Sequence, residues 1–397
     1  MALTLGRAWE YFERAVARLA RVAPPDTSFF PTGGLRRVDP IVIHLGVLAR
    51  TEDPDAILRE GPDLVVDGQS VRVGAYRPSH FGAALIRATG ASAHVAQLNA
   101  RADGDIDGIG GASEDAVYAA LGLPCIPPEI RDGRGELERA DGDGIPALVS
   151  RADIRGDLHL HTNYSDGRDD VETLVAAAAA LGYEYIAITD HSPSSAATRV
   201  LSEHSLLRQL DEIDEVQLRH PEIRVLKGVE TDIMPDGSLD LPDQTLERLD
   251  IVLASLHDEA GHSPEELLER YRHAAEHPLV NVLTHPANQI IGRRPGYRLD
   301  YDRLFEIAVE TGTLLEIDGA ASHLDLEGPL ARRAAEAGVT LIVDSDSHHA
   351  RLMGRYMLFG VGTARRGWLE ARHVANTRPL GELQAIITAK RGGKSGR

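Results

Sequence analysis

The order of apolar and polar residues changes its character part of the way along the chain. Residues 9–22 have apolar positions at helical spacing, and Pro24-Pro25 ends this predicted helix. Apolar runs predict strands at residues 41–48 and 70–76, and residues 81–89 predict a second helix. The first part of the chain is therefore expected to form a small α+β domain.

From residue 153 onward, short apolar segments alternate with helical ones. They predict seven strands, at residues 157–160, 185–189, 223–229, 251–255, 280–283, 313–317 and 340–343. Strands that alternate with helices predict a parallel sheet that is buried on both faces. Over roughly 240 residues, this alternation favours a closed β/α barrel.

The segment between the two patterns predicts a linker. Pro127-Pro128 is followed by a charged run at residues 131–143, and both features are typical of connecting segments. We therefore expect two domains, at residues 1–152 and 153–397.

Composition and charge narrow the class of protein. The chain has 397 residues, a formal net charge of −19 at pH 7 and one cysteine, Cys125. A single cysteine excludes an intrachain disulfide and favours a reducing compartment. No apolar run approaches the ~20 residues of a membrane span, and residues 1–21 lack the features of a signal peptide. We expect a cytoplasmic protein without a membrane partner, and its acidity disfavours non-specific DNA binding by the whole molecule.

Polar residues follow the predicted strands of the second part. His159 and His161 are two residues apart, so a strand would present both imidazoles on one face. Asp166 follows in the next loop. The ends of five further strands carry residues of the same kinds, which are His191, Glu230, His257, His285, and the pair Asp346 and His348. Active sites of β/α barrels lie at this end of the strands.

These nine residues predict a metal centre. A single histidine at a strand end is more often structural than a ligand, but six at the same ends of successive strands, each near a carboxylate, indicate a common site. Imidazole and carboxylate suit zinc, manganese or iron, and nine ligands are too many for one ion. Two or three ions suit phosphoryl chemistry well. Asp190 is expected to orient a ligand rather than to bind metal, and His262, His273, His277, His323 and His349 are expected to be surface or structural residues.

The motifs of the second part resemble those of the PHP family, named for polymerase and histidinol phosphatase domains. They are His-x-His with Ser-Asp-Gly, Thr-Asp-His, Gly-Val-Glu, Ser-x-His, His-Pro and Ser-Asp-x-His, over Asp153 to about Ala389. The resemblance implies a distorted seven-stranded β/α barrel, a trinuclear zinc, manganese or iron site, and phosphoester hydrolysis.

The first part resembles the palm and thumb of a bacterial family X DNA polymerase that carries a C-terminal PHP domain. The resembling stretches begin at Gly33-Gly34-Leu35, Phe81-Gly82-Ala83 and Leu121-Gly122-Leu123. In that family, such PHP domains resemble 3′→5′ exonucleases and related DNA phosphoesterases. Because the sequence begins near the palm, the fingers and the small lyase-like domain are expected to be absent.

The departures from the polymerase pattern predict that nucleotidyl transfer is lost. The palm carboxylates that hold magnesium fall on His44, Gly46 and Arg72, and phosphoryl transfer needs those metal ligands. Two arginines of the PHP part are also replaced. The sequence has Ala287-Asn288-Gln289 where polymerase-linked versions tend to have Thr-Gly-Arg, and His323 stands at the position of a later arginine. Arg293 and Arg294 remain as candidates for phosphate contact.

The sequence therefore predicts metal-assisted hydrolysis of a phosphoester, with a water activated by the metals as the nucleophile. One or two metals would be held by His159, His161, Glu230 and Asp346, with Glu230 bridging, and the other predicted ligands would complete the cluster. His257 or His348, if not fully engaged with metal, could protonate the leaving oxygen. The leading substrate is a DNA or RNA 3′ end, linked to DNA repair. The alternatives are a small phosphomonoester and a non-catalytic scaffold for repair proteins, and the oligomeric state stays open.

Overall fold

The computed structural model describes residues 2–195, 197–258 and 260–392. It divides into two compact units, Met1–Ala147 and Leu148–Arg397. None of the described helices has the length and apolar character needed to cross a bilayer.

The first unit contains two small sheets and their covering helices. Strands β2, β4, β6 and β5 form one mixed sheet in that order, and β1 pairs antiparallel with β3. The elements are β1 (Leu3–Thr4), α1 (Leu5–Leu19), β2 (Ser28–Pro31), α2 (Gly33–Arg36), β3 (Ile41–Val42), β4 (Gly46–Arg50), α3 (Pro54–Leu58), β5 (Asp63–Val66), β6 (Gln69–Tyr76), α4 (Pro78–Thr89), α5 (Ser92–Arg101), α6 (Glu114–Ala120) and α7 (Glu136–Asp141), with 3₁₀ turns at Ile106–Ile109 and Pro128–Ile130.

The helix predicted at residues 9–22 is α1, which begins four residues earlier. Its buried residues are Leu5, Ala8, Phe12, Ala15 and Leu19, a single face at helical spacing that packs in the unit's interior. The strand predicted at 41–48 is divided between β3 and β4, because its two halves pair with different sheets. Pairing partners are distant in sequence, so the local pattern did not show this division.

The predicted linker at residues 131–143 is packed into the first unit, contrary to expectation. Arg131 is completely buried, and its Nη1 donates to Glu114 Oε1 at 2.5 Å. Arg36 Nη2 binds the other oxygen of the same carboxylate at 2.6 Å. Glu136 is also buried and lies 2.6 Å from His94 Nδ1. The sequence pattern of the charged run is typical of a solvated linker. The residues that pair with it in the interior lie far away along the chain, so the local sequence does not show them.

The second unit is the predicted barrel. Its seven strands are parallel in the order β13-β12-β11-β10-β9-β8-β7. The elements are β7 (Gly156–Asp157), α8 (Val171–Ala180), β8 (Tyr185–Ile188), α9 (Glu203–Arg219), β9 (Arg224–Asp232), α10 (Asp243–Leu246), β10 (Ile251–Ser255), α11 (Pro264–Glu276), β11 (Val282–Leu283), α12 (Tyr301–Thr311), β12 (Leu314–Asp318), α13 (Gly328–Glu336), β13 (Leu341–Asp344), α14 (Ala350–Arg366) and α15 (Leu380–Gly392), with 3₁₀ turns at Arg151–Asp153, Ala371–His373 and Ala375–Thr377.

The extension of β7 brings the first and last strands together. Leu160 forms a parallel bridge with Ser347, and His161 N donates to Ser347 O at 3.1 Å. Regular strand structure stops at Asp157, because Leu158 N donates to the Asp344 side chain and Leu160 N to the Thr189 side chain. The His-x-His segment is therefore part of the barrel seam.

Strand residues alternate between the barrel interior and the surrounding helices. One buried cluster contains Tyr185, Leu226, Leu253 and Ile342 together with Ile387 of α15, whereas the neighbouring strand positions pack in a second cluster with the helices. The interior is a packed core, as expected for a small barrel. The same alternation carries polar side chains to the interior at the carboxyl ends of the strands.

Candidate metal centre

Interior positions at the carboxyl ends of the strands are occupied by acids and histidines. Glu230 lies four residues after the interior residue Leu226 on β9, and Glu316 lies two residues after the interior residue Leu314 on β12. Asp346 lies just beyond β13, four residues after the interior residue Ile342. His159 and His161 enter from the seam. All nine predicted ligand residues lie in this one region, since each is within reach of another of the set.

Glu230 is the central carboxylate of the cluster. Its Oε2 lies 2.7 Å from His191 Nδ1 and 3.4 Å from His159 Nε2. Its Oε1 lies 2.9 Å from His285 Nε2 and 3.4 Å from His257 Nε2. His161 Nε2 lies 3.6 Å from Oε2 as well. With five imidazoles around two oxygens, Glu230 has the placement that a bridging ligand requires.

A second group of ligands surrounds Asp346 and Asp166. Asp346 Oδ1 is 3.0 Å from His161 Nε2 and 3.7 Å from His159 Nε2. Asp166 Oδ1 is 3.2 Å from His348 Nε2 and 3.6 Å from His191 Nε2. His348 has 37% of its side chain exposed, so this group forms the open side of the centre.

The arrangement of these nitrogen and oxygen atoms suits the binding of divalent metal ions better than it suits hydrogen bonds between the residues. His159 Nε2, His161 Nε2, His191 Nδ1, Glu230 Oε2 and Asp346 Oδ1 are buried and have no hydrogen-bond partner among the described residues, although they lie close together. Unpaired buried polar atoms are costly. Ligands at about 2.1 Å from one ion lie roughly 3–3.4 Å apart, which is close to several of the separations observed here. Three groups within this set have ligand atoms mutually within 4.8 Å: His161 with Asp166, His191 and His348; His159 with His161 and Asp346; and His191 with Glu230 and His257.

Three acceptors orient the histidines toward this cluster. His159 Nδ1 is 2.7 Å from Glu316 Oε1, His257 Nδ1 is 2.9 Å from Asp232 Oδ1, and His348 Nδ1 is 3.1 Å from the Asp346 carbonyl. Each acceptor requires the proton on Nδ1, so the Nε2 lone pair is left to face the centre. Sequence reasoning missed Glu316 and Asp232. The sequence feature that could have identified both residues is their position on a strand, two residues after a residue that faces the barrel interior.

Asp190 holds the loop that follows His161. It accepts hydrogen bonds from Thr162 N at 2.8 Å, from Ser165 N at 3.1 Å and from the Gln209 amide. Asp190 thus contacts backbone and side-chain donors rather than an imidazole. Its effect on the centre is indirect, through the course of the loop that carries Asp166.

Gly167 lets that loop approach the seam. A Cβ at this position would overlap the backbone carbonyl of His161 and lie 2.7 Å from Thr162 N. The glycine of the Ser-Asp-Gly motif therefore allows the two backbone segments to approach closely. This approach brings Asp166 next to His348.

His323 belongs to the site, although the sequence suggested a surface or structural role. Its ring stacks on His285 with centroids 5.8 Å apart. One ligand atom each of His323, Asp318 and Asp346 lies within 4.8 Å of the other two. Asp318 is the last residue of β12 and His323 lies in the loop that follows. Their proximity to Asp346 depends on the packing of β12 against β13. His349 instead binds Asp169 at 2.7 Å, away from the cluster of donor atoms.

The charges of the cluster set its protonation. Burial opposes ionisation of Glu230, but His191, His159 and His257 outweigh it and hold the pKa of Glu230 well below its usual value. Burial and the neighbouring His348 and His191 lower the pKa of His161 to about 4. His161 is therefore neutral at physiological pH, the form in which imidazole binds metal.

His348 and His323 differ in protonation. Burial would lower the pKa of His348, but the carboxylates of Asp346 and Asp166 raise it to about 9. Burial and His285 lower the pKa of His323 to about 4. Without metal, His348 on the open side of the centre thus favours its protonated form, whereas His323 next to His285 favours its neutral form.

The two predicted phosphate contacts lie on an exposed loop after His285. Arg294 is held by Asn288, through Nε to the carbonyl at 3.1 Å and Nη2 to the side-chain oxygen at 2.6 Å. Arg293 is exposed. Arg199 on another loop donates to the Gly167 carbonyl at 3.2 Å, beside Asp166. Arginine side chains therefore occur next to the centre on more than one loop.

The first unit has a separate cleft of about 660 Å³. His44, Gly46 and Arg72 all line it, and Gly46 pairs directly with Arg72 across β4 and β6. The three positions at which the resemblance expects metal carboxylates are therefore neighbours. They offer an imidazole, a glycine and a guanidinium, which do not form a magnesium site.

Comparisons with known proteins agree on the second unit. The sequence profile of the PHP domain matches residues 157–320. The chain is 39% identical over 275 residues to the DNA polymerase/3′-5′ exonuclease PolX of Bacillus subtilis (strain 168), which covers 69% of this chain and 48% of that protein. The chain thus spans about half the length of this relative. It is 33% identical to a probable phosphatase of Caldanaerobacter subterraneus subsp. tengcongensis, over 53% of this chain and 83% of the relative.

Among solved structures, a histidinol phosphate phosphatase from Lactococcus lactis subsp. lactis, complexed with zinc, L-histidinol and phosphate, matches with a TM-score of 0.39 and 17% identity. The match covers 53% of this chain and 94% of that one.

Proposed function

The chain belongs to the PHP family of phosphoesterases, and we propose that it is a metal-dependent hydrolase that removes nucleotides from DNA 3′ ends in connection with DNA repair. The observation that carries the proposal is the set of nine imidazole and carboxylate residues in one region, several of whose buried donor atoms have no hydrogen-bond partner in the described part of the chain. No other chemistry of these residue types explains so many orphaned donors at one place.

The nine residues would hold two or three divalent ions of zinc, manganese or iron, with Glu230 shared between ions. When bound, such ions activate water and neutralise charge on the attacking and leaving oxygens of a phosphoryl group. Glu316 and Asp232 keep the imidazoles of His159 and His257 in the tautomer that directs Nε2 to the centre. The protein's part is thus to hold the ligands rigidly and in the correct protonation state.

A proton must reach the leaving oxygen, and two histidines are suited to supply it. His348 favours its protonated form and stands on the open side of the centre. Burial would lower the pKa of His257, yet Glu230 and Asp232 raise it to about 10. If one of these two residues is not fully engaged with metal, it would donate the proton, and His348 is the more exposed of the two.

The identity to PolX favours a DNA end as the substrate, since it extends over more residues than the second unit contains. We propose that Arg293 and Arg294, on the loop after His285, and Arg199, which donates to the Gly167 carbonyl, contact phosphates that flank the reacting group. On this proposal the first unit is a degenerate palm and thumb that serves the second unit without polymerising, and the protein works in the cytoplasm.

The second candidate is hydrolysis of a small phosphomonoester. It is favoured by His323, which stands where polymerase-linked relatives are expected to have an arginine, and by the net charge of −19. Both features weaken the attraction of a polyanion.

One experiment separates the candidates. The manganese-loaded chain is incubated with a 5′-labelled single-stranded oligonucleotide and, in parallel, with a panel of small phosphomonoesters. Stepwise shortening of the oligonucleotide supports the exonuclease. Turnover of a monoester beside an intact oligonucleotide supports the second candidate. If neither substrate reacts, the hydrolase proposal fails and a scaffold role replaces it.

Variants connect the activity to the centre. His159→Ala and Glu230→Ala should each abolish both metal binding and turnover, whereas His204→Ala, an exposed histidine on α9, is the matched control. Full hydrolysis with metal bound in the His159→Ala chain would remove His159 from the proposed centre.

A further inference from the structure

A third set of donor atoms lies beside the predicted centre, between β12 and β13. It consists of Asp318 at the end of β12, His323 in the loop that follows, and Asp346 beyond β13. One ligand atom of each lies within 4.8 Å of the other two. Two of the three residues, Asp318 and His323, are not among the nine ligands that the motifs predict.

Asp318 is fully buried, and half of its carboxylate is unsatisfied. Oδ1 accepts from Ala320 N at 2.6 Å, while Oδ2 has no hydrogen-bond partner among the described residues. Asp346 Oδ1 is buried and unsatisfied in the same way. Asp346 has the imidazole of His161 at 3.0 Å, whereas Asp318 Oδ2 is a buried carboxylate oxygen without a donor in the described part of the chain. Leaving it unpaired is costly, and a cation shared by the two carboxylates would remove that cost.

The loop after β12 is built to aim His323 at these carboxylates. Gln289 Nε2 donates to the carbonyls of His323 and Leu324 at 3.0 and 3.1 Å. Leu324 has a φ of +46°, a conformation that β-carbon sterics disfavour and that packing must maintain. His323 Nδ1 is buried and has no hydrogen-bond partner in the described part of the chain. The imidazole is therefore held in place with a free donor atom.

We propose that Asp318, His323 and Asp346 form an additional divalent-metal position, which extends the proposed metal centre through the Asp346 carboxylate. Two carboxylates and an imidazole are a ligand set for zinc, manganese or iron. A cation at this position would put positive charge at the place where the resemblance expects an arginine. The loss of that arginine would then be offset by a resident metal, which suits a phosphate-binding rim.

The test counts metal and does not need turnover, so it stays informative if the proposed hydrolysis fails. The full chain is stripped with a chelator, reloaded with Mn²⁺, freed of excess by gel filtration, and analysed for manganese per chain by mass spectrometry. Titration calorimetry with Mn²⁺ then resolves the classes of sites. Asp318→Asn and His323→Gln are each compared with exposed controls on α9, Asp211→Asn and His204→Gln.

The proposal expects each site variant to bind one manganese fewer than the unsubstituted chain, or to bind one equivalent at least tenfold more weakly, with the remaining equivalents unchanged. His323→Arg should lose the same equivalent, because a guanidinium neutralises the carboxylates without binding metal. Unchanged stoichiometry and affinity in His323→Gln would overturn the position even if Asp318→Asn fails to fold. Loss of all equivalents together in folded variants would also overturn it, since Asp318 and His323 would then only support the main centre.

Discussion

His159 Nδ1 and Glu316 Oε1 lie 2.7 Å apart with both side chains completely buried. Glu316 comes from β12, far along the chain from the His-x-His segment. Its second oxygen accepts from His285 N at 2.8 Å. One carboxylate thus orients the imidazole of His159 at the seam and the backbone of His285 after β11, so the geometry of the centre depends on a residue outside the set of nine predicted ligands.

Replacing Glu316 with glutamine should weaken metal binding while the fold persists. The amide keeps one acceptor, but its NH₂ group must face either His159 Nδ1 or His285 N, both of which are donors. We expect the affinity for Mn²⁺ to fall about 10–100-fold. Competition with a chromophoric chelator measures it, with the exposed Glu247→Gln as the control. Equal affinities in the two variants would contradict the orienting role.

Gly167→Ala should disturb the loop that delivers Asp166. The added methyl group overlaps the His161 carbonyl, so the loop must move away from the seam. Overpacking of this kind costs about 1–3 kcal/mol. The expected result is a lower unfolding temperature and weaker binding of one manganese. Gly381→Ala is the control, because its Cβ would meet nothing within 4 Å. A Gly167→Ala chain as stable as Gly381→Ala would show that the loop can yield.

Acid should destabilise the first unit through Glu114. Burial would raise the pKa of Glu114, but Arg36 and Arg131 lower it from 4.5 to about 2. A carboxyl group with a depressed pKa in the folded state contributes stability above its unfolded pKa, and the contribution is lost as the pH falls from about 4.5 towards 2. Glu114→Gln should therefore be less stable by roughly 3 kcal/mol at neutral pH, and this difference should shrink in acid.

Urea unfolding monitored by tryptophan fluorescence can measure this difference. The chain has two tryptophans, Trp9 and Trp368, one in each unit. In a Trp368→Phe background, the fluorescence of Trp9 reports on the first unit alone. Glu52→Gln, an exposed residue of the same unit, is the control. A stability difference between Glu114→Gln and its parent that does not change with pH would rule out the ionic contribution.

The chain should not extend a DNA primer. His44, Gly46 and Arg72 occupy the places at which metal carboxylates are needed, and they line one cleft together. Primer extension with Mg²⁺ or Mn²⁺ and all four nucleotides, beside an active family X polymerase, should give no product longer than the primer. If the chain did incorporate nucleotides, and still did so with Arg72→Ala, residues other than these three would have to hold the catalytic magnesium.

Local sequence patterns were sufficient to predict the barrel, and they led to nine polar residues that lie together in the structure. Buried parallel strands need continuous apolar runs, and a site at their carboxyl ends needs its polar residues directly after those runs. Glu230 after Val229 and His257 after Leu256 follow this rule. The seven strands were predicted correctly for that reason, although β7 is shorter because side chains of Asp344 and Thr189 replace its ladder partners.

Contacts between distant parts of the chain decided the rest. Arg131 resembled a residue of a charged linker, yet it is buried against Glu114. The apolar run at residues 41–48 predicted one continuous strand, yet its two halves belong to two different sheets. His323 looked incidental, yet the register of β12 against β13 brings Asp318 next to it and Asp346. None of these relationships has a periodic signature, because each joins residues that are close only after folding.

The amino-acid sequence by itself therefore determined the barrel, its seam histidines and the chemical class of the centre, because strand periodicity and ligand type are local properties of the chain. The tertiary structure alone decided which acceptors orient the imidazoles, which donor atoms stay unsatisfied, and which extra residues join the site. Those features depend on distances between separate strands and loops, and side-chain packing sets such distances only when the whole barrel has closed.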